Sequence, residues 1–412
     1  MRKIVKLVIL SVLLASSGCG SSTGKSSSSL TIAEGVEYGE KDYELITGPS
    51  NRLGFQLMED LGKAEDGNMF ISPLSLYMAL SMVYNGSDGA TKEEIAKVLG
   101  AEKIPPQKMN QANASLAMHL AGLPEEIELN IANSIWVKED YRFLDSFSKS
   151  SRDYYNAEIE EIDVADPASA EKINDWVNGA TNGKIKKMAA KPLSSNLVAM
   201  LLNAIYFKGD WQFPFDDELT QEQPFTRRDG SVVEVPLMNL QGRLPYLETP
   251  EFQAVSLPYG KGEMSMDIFL PAPGVELDEL ASGIMEERWS EWTKGFQPND
   301  GTLLLPKFKM EYEVILNDAL SRLGMETAFL SADLSKMFEA SSGLYISEVK
   351  QKTFIDVNEQ GTEAAAATSV TVEESASVDL FQMTVNRPFF YAITDTETGV
   401  ILFMGTMEDP SE

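Results

Sequence analysis

The chain has 412 residues, 43% of them apolar, enough for a sizeable core in one large domain or two ordinary ones. Sixty-three acidic against 34 basic residues give a formal charge of −29, a field that repels phosphate backbones and argues against nucleic-acid binding. The chain holds one histidine, His119, and one cysteine, Cys19, which excludes an intrachain disulfide and a zinc site built from several His or Cys ligands. A Ser-His-Asp or Cys-His enzyme would have to work with His119 alone, and that residue sits in a helical pattern, Leu116-Ala-Met-His-Leu-Ala, as an ordinary helix position.

The N-terminus reads as a targeting segment. Arg2, Lys3 and Lys6 precede an apolar run, Ile4 to Ala15, that is too short for a comfortable membrane span. Ser16-Ser17-Gly18 then lead to Cys19, a pattern that resembles a bacterial lipoprotein signal over residues 1–18, with cleavage before Cys19 and lipid on its sulfur. The alternative is a plain secretory signal followed by a free thiol. Residues 19–44 read as the lipidated cysteine and a flexible Ser-rich tether, and 45–412 as one compact domain. The expected location is the cell envelope, facing away from the cytoplasm, with the protein secreted if it is not lipidated.

Asn51 to Gly62 carries a helical apolar face. Ser72 and Pro73 suit the cap and first position of a second helix ending near Gly86. Thr91-Lys-Glu-Glu94 reads as a capping box for a short helix, and 108–121 as another helix. Leu129 to Val137 has strand character, whereas Phe143 to Tyr155 and Ser169 to Ala180 are helical. Asn196 to Trp211 is apolar enough to be a strand buried on both faces. Val232 to Met238, Ala254 to Tyr259 and Met264 to Leu270 are strands, the last two joined as a hairpin at Gly260-Lys-Gly262. Leu277 to Trp292 and Leu316 to Gly324 are helical, and Thr302 to Val314 and Tyr345 to Val357 are extended. Phe389 to Thr394 and Val400 to Gly405 pair around Asp395 to Gly399. Helices mostly first and strands mostly later indicate an α+β chain with large antiparallel sheets.

One stretch, Glu359 to Val372, is at odds with itself. Thr362, Ala364, Ala366, Thr368, Val370 and Val372 alternate as a dry face against Glu363, Ala365, Ala367, Ser369 and Thr371. The four alanines in its middle are poor strand formers and good helix formers. A strand pattern in such residues suits a segment that moves between two states.

Four motifs carry a family resemblance. They are Asn68-Met-Phe-Ile-Ser-Pro-Leu-Ser75, Asn203-Ala-Ile-Tyr-Phe-Lys-Gly-Asp-Trp211, Asp356-Val-Asn-Glu-Gln-Gly-Thr-Glu-Ala-Ala-Ala-Ala-Thr368 and Val385-Asn-Arg-Pro-Phe-Phe-Tyr-Ala-Ile393. In this order and spacing, residues 45–410 resemble a serpin of the inhibitory type. The resemblance implies three β-sheets, eight or nine helices and an exposed reactive loop at about 361–382. It implies an inhibitor rather than an enzyme. A target serine protease attacks the loop and becomes an acyl-enzyme, and the cut loop enters the main sheet as a new strand before water can release the protease. No cofactor is implied, and the protein is expected to act as a monomer.

Residue by residue, the resemblance assigns Glu359, Gly361, Thr362, Glu363, Ala364, Ala365, Ala366, Ala367 and Thr368 to the hinge. Ser72, Ser75 and Asn203 fall where the central strands part, with Gln351 in place of a frequent histidine, and Trp211 falls at the top of the sheet. Family spacing puts the scissile bond at Ser375-Ala376, with Glu374 one residue earlier as the alternative. Small residues around that bond suit an elastase-like or subtilisin-like pocket, and no Arg or Lys between Lys352 and Arg387 invites a trypsin-like enzyme. Inserting the loop would form about a dozen ladder hydrogen bonds at ~1 kcal/mol each and bury valines at roughly 1.5–3 kcal/mol apiece, on the order of 10–20 kcal/mol in all. Thr362 to Ser375, extended at about 3.3 Å per residue, reaches roughly 46 Å. Two other readings compete. One is a non-inhibitory serpin serving as a surface binding protein, which the permissive hinge disfavours. The other is an acyl-enzyme using Ser146-Phe-Ser-Lys149, whose Lys-Thr-Gly partner motif is missing.

Overall fold

A computed structural model describes residues 30–64, 67–284, 286–339, 343–362 and 380–411. Leu30 and Tyr43 are already buried, so the packed body reaches back into the stretch read as tether. The first long helix, α1 (Thr47–Gly62), turns Leu53, Leu57, Met58 and Leu61 into the core. After β1 (Met69–Ile71), Ser72 caps α2 (Pro73–Gly86) by accepting the Ser75 amide at 3.3 Å, with Pro73 in the first turn. That helix is buried almost all round, as an apolar helix through the middle of a large domain must be.

The cap of α3 (Gly89–Val98) departs from expectation. Asp88 supplies it, because the helix starts three residues earlier than the Thr91 box requires. Thr91 and Glu94 are thereby left to serve another segment. Thr91 Oγ1 accepts the Asp333 amide at 3.0 Å, and the Glu94 carboxylate accepts the Thr327 amide at 2.8 Å.

In chain order there follow α4 (Pro106–Ala121), β2 (Ile127–Lys138), α5 (Asp145–Tyr155), β3 (Glu158–Ile162), α6 (Pro167–Ala180), β4 (Ala199–Asp210), β5 (Gln221–Thr226), β6 (Val232–Glu248), β7 (Phe252–Tyr259) and β8 (Met264–Pro271). The stretch Leu277 to Trp292 is broken at Gly283 into α7 (Leu277–Ser282) and α8 (Glu286–Gly295). Thr302 to Val314 divides at Lys307 into β9 (Gln297–Pro306) and β10 (Phe308–Ile315), which join different sheets. The chain closes with α9 (Asn317–Arg322), α10 (Thr327–Leu330), β11 (Ile346–Asn358), β12 (Gly361–Thr362), β13 (Phe381–Thr384), β14 (Phe389–Asp395) and β15 (Ile401–Met407).

Among the described residues there are ten α-helices rather than eight or nine, the surplus coming from short pieces such as α7 and α10. The strands form a nine-stranded sheet, β1-β15-β14-β8-β7-β6-β9-β13 with β5 on β6, and a six-stranded sheet, β10-β11-β12-β4-β2-β3. Two of the three expected sheets are thus hydrogen-bonded into one. The cause is β6, whose 17 residues pair with β5 near one end, with β7 at the other and with β9 along most of the length.

The six-stranded sheet is covered on both faces. Leu201, Ile205 and Phe207 of β4 enter the main core, while Met200, Leu202, Ala204 and Tyr206 meet Ile173 and Val177 of α6 on the other face. This explains the near-continuous apolar run of β4.

Candidate functional site

The seam between β4 and β11 is where the singled-out residues gather. Over most of their length the two strands pair directly and in parallel, from Ile346 opposite Ala199 to Phe354 opposite Tyr206. Above that point they part, and β12 lies between them. Thr362 pairs antiparallel with Val357 on one side and Gly209 on the other, and Gly361 pairs with Asn358 and Asp210. The seam is therefore zipped below and wedged above by Gly361 and Thr362, two of the residues expected to form a hinge.

The wedge is held from several directions. Thr362 is fully buried, and its hydroxyl shares a 2.6 Å hydrogen bond with the Tyr259 hydroxyl. Gly361 approaches β4 so closely that a Cβ there would collide with the Gly209 carbonyl oxygen. Trp211 fixes the turn before it, its indole N–H donating to the Asn358 carbonyl at 2.9 Å and its amide to the Gln360 carbonyl at 2.9 Å. Its ring stacks on Tyr259 at 4.3 Å. Glu359 accepts from Lys307 at 2.8 Å and from the Thr220 hydroxyl at 3.0 Å. Burial works against its charge, but Lys307, a backbone amide and Thr220 prevail and hold its carboxyl below the ordinary glutamate range.

Lower on the seam, Ser72, Ser75, Asn203 and Gln351 form one buried cluster. The Gln351 amide group accepts the Ser72 N–H at 2.8 Å and donates to the Ser72 carbonyl at 2.9 Å and to Asn203 Oδ1 at 2.7 Å. Asn203 in turn donates to Ser75 Oγ and, at 2.6 Å, to Asn133 Oδ1. Four side chains from α2, β4, β11 and the cap position thus lock the two strands to the helix beneath them. None of the four is titratable, so the lock carries no protonation switch of its own.

Some members of the site were not singled out in the sequence. Asn133 could have been, since an Asn inside the apolar strand Leu129 to Val137 asks for a buried partner. Tyr259, Lys307 and Thr220 leave no local signal, because each meets its partner across a long chain separation. Ser146 and Lys149 do not form a catalytic pair. Ser146 is exposed, and the Lys149 ammonium is taken by Asp153. His119 lies on α4, half-buried, with Nε2 at 3.1 Å from the buried Asp395 carboxylate. Glu363, Ala364, Ala365, Ala366, Ala367, Thr368, Glu374, Ser375, Ala376 and Cys19 lie outside the described residues.

The profile of the serpin (serine protease inhibitor) family matches residues 49–410. The chain is a serpin. A Drosophila melanogaster relative, serine protease inhibitor 42Dd, is 35% identical over 89% of this chain and 98% of its own length. The leukocyte elastase inhibitor of Xenopus tropicalis is 35% identical over 89% of this serpin and 100% of that protein. Among solved structures, the native state of the thermophilic serpin tengpin superposes with a TM-score of 0.83 at 33% identity, covering 92% of this chain and 97% of that one. The α+β class and the serpin fold expected from the four motifs therefore hold. Among the described residues no helix is long and apolar enough to cross a membrane.

Proposed function

We propose that this serpin is an irreversible suicide-substrate inhibitor of serine proteases, most suited to elastase-like or subtilisin-like targets. The carrying observation is the wedge. Gly361 and Thr362 already sit between β4 and β11, while the same strands are zipped below, so the seam has a defined entry point for more strand.

Continuing that register gives the neighbours that an entering loop would meet. Residue 364 would come opposite Ile355 and Phe207, 366 opposite Thr353 and Ile205, and 368 opposite Gln351 and Asn203. All six flanking residues are buried, so the incoming face has to be small and uncharged. Ala364, Ala366 and Thr368 meet that demand, and they share a face with the buried Thr362.

The chemistry before insertion belongs to the target. Its serine oxygen attacks the carbonyl carbon of Ser375, the bond to the Ala376 nitrogen breaks, and the new amine leaves with a proton. An ester then links protease and inhibitor. If the loop enters the seam faster than water reaches that ester, the acyl-enzyme is dragged away and trapped. The serpin supplies no catalytic group, which makes it an inhibitor and not an enzyme. The reading includes a signal at 1–18, a lipid on Cys19 that anchors the protein to the cell envelope, and action as a monomer.

Incubation with elastase-like, subtilisin-like and Glu-specific serine proteases tests it. The expected product is an adduct that survives denaturation, with the summed mass less the released C-terminal peptide, whose N-terminal residue fixes the cut at Ser375 or Glu374. Clean cleavage with full residual protease activity in every case would sink the proposal and favour a binding role. Thr362→Arg places a long cation at the wedge, where the site is dry. It is expected to turn the inhibitor into a substrate, and unchanged trapping by that variant would exclude insertion as the mechanism.

A further inference from the structure

We propose that the cavity around Arg387 is a binding site for a small monocarboxylate, a single negative charge carried on a short apolar body. The cavity encloses about 200 Å3 where the end of β8, the start of α7, the Thr226 end of β5 and the joint between β13 and β14 meet. The Thr226 amide donates to the Asn386 carbonyl at 2.9 Å, which fixes that joint against β5. Arg227, Arg228 and Arg387 all line the cavity, in a chain whose acidic residues outnumber the basic ones 63 to 34.

Arg387 is the one that lacks a counter-ion. Its Nε and Nη2 both donate to the Pro271 carbonyl, at 3.0 and 2.5 Å, and its Nη1 donates to Asn386 Oδ1 at 3.2 Å. Three of the five guanidinium N–H groups are thereby used, and two are left over. No carboxylate among the described residues pairs with it, and burial alone holds its pKa below the ordinary arginine value. The other two arginines are already matched. Arg228 donates to Glu408 at 2.8 Å and to Asp278, and Arg227 meets Asp409 at 2.5 Å. A half-buried cation with spare donors on a cavity wall is the complement of an anion, and the planar guanidinium fork suits a carboxylate.

The rest of the lining sets charge and size. Asp278 and Glu408 are offset by Arg228, but Glu276 is exposed and has no ion pair among the described residues. Its charge tolerates one negative charge beside Arg387 and opposes two, which separates a carboxylate from a phosphate dianion. Pro271, Pro388, Val275 and Leu277 supply apolar wall. The two prolines bring rigid rings and no N–H, so neither competes with Arg387 for the anion. The volume is below that of a pocket for a drug-sized molecule, roughly 300 Å3 and upward, and fits the body of one short aliphatic side chain. A free short-chain acid and the C-terminal residue of a peptide share this chemistry.

Calorimetric titration of the full-length chain at pH 8 with acetyl-alanyl-valine, its C-terminal amide, butyrate and inorganic phosphate tests the site. A carboxylate is expected to bind with a Kd on the order of 1 mM, and the peptide amide at least about tenfold more weakly than the peptide acid, because it lacks the charge. Arg387→Gln should weaken carboxylate binding about tenfold or more. Glu276→Gln, a change on an exposed side chain, should tighten it about twofold to threefold. Butyrate binding as well as the peptide acid points to free short-chain acids, and a peptide acid well ahead of butyrate points to a peptide C-terminus. Either result supports the carboxylate site. It is overturned if neither acid binds, if peptide acid and amide bind equally, if phosphate binds ahead of both acids, or if Arg387→Gln binds as the parent does. Should Arg387→Gln fail to fold, Glu276→Gln decides the matter, and an affinity that is unchanged or lower in that variant sinks the assignment.

Discussion

At the wedge, single groups decide how firmly Gly361 and Thr362 are held between β4 and β11. Glu359 is the last charged side chain before the wedge, bound by Lys307 and Thr220. Its folded carboxyl titrates below the ordinary value of 4.5, so the folded state prefers the carboxylate. The sign follows from linkage. The stabilisation is fully present above pH 4.5 and is lost as pH falls through the lower folded value. Glu359→Gln should therefore cost on the order of 1 kcal/mol at pH 7, since Lys307 is partly solvated, and almost nothing near pH 3. Denaturant unfolding at the two pH values measures this, and an equal cost at both would mean that charge is not what anchors the hinge. Gln351 stands in contrast. It makes three hydrogen bonds at the seam without a proton to gain or lose, so the lock below the wedge should be indifferent to the same change of pH.

Among the elements, β12 is the shortest and the most consequential, and where it pairs could not be read from its own residues. Two residues carry no period, and their pairing depends on β4 and on a turn fixed by Trp211. Gly361→Ala tests that placement, because the added methyl meets the Gly209 carbonyl and must push β12 from the seam. Each ~1.4 kcal/mol added to the barrier for insertion shifts the contest between insertion and deacylation about tenfold towards release. The variant should thus need several molecules to inhibit one protease, read as a raised stoichiometry in a titration, whereas an unchanged stoichiometry would show that the wedge does not gate entry. Other elements were legible to the extent that their signals were local. The cap at Ser72, the hairpin at Gly260-Lys-Gly262 and the doubly buried β4 follow from residue type and period. The capping box at Thr91 misled because Asp88 competes for the same turn. Thr302 to Val314 is extended throughout, and Pro306, which has no amide to donate to a ladder, is the one mark in it of the change of sheet at Lys307. Leu30 stands in a Ser-rich context whose composition says tether, and its burial against the core shows otherwise. Ser72, Ser75 and Asn203 were legible through the motifs and Gln351 by counting back from the hinge motif, whereas Tyr259, which meets Thr362 from 103 residues away, was not legible at all.

For the molecule as a whole, the proposed insertion would mean that the native state is not the most stable arrangement of the chain. A new central strand would add about a dozen ladder hydrogen bonds and bury Val370 and Val372, on the order of 10–20 kcal/mol in total. The entropy of unfolding is about 2.1 cal/mol/K per residue, or roughly 0.8 kcal/mol/K for the matched region, so each kcal/mol is worth only a little over 1 °C. Cleaving the reactive loop should therefore raise the midpoint of thermal unfolding by roughly 10–25 °C, although cutting a peptide bond ordinarily loosens a fold. Scanning calorimetry before and after limited cleavage measures the shift, and Thr362→Arg supplies the comparison, since its loop can be cut but should not enter. A rise in the parent chain that is absent from the variant ties the stored energy to the seam between β4 and β11. A cut chain that unfolds no higher than the intact one would mean that the alanine row never becomes a strand, and the trap would have no engine.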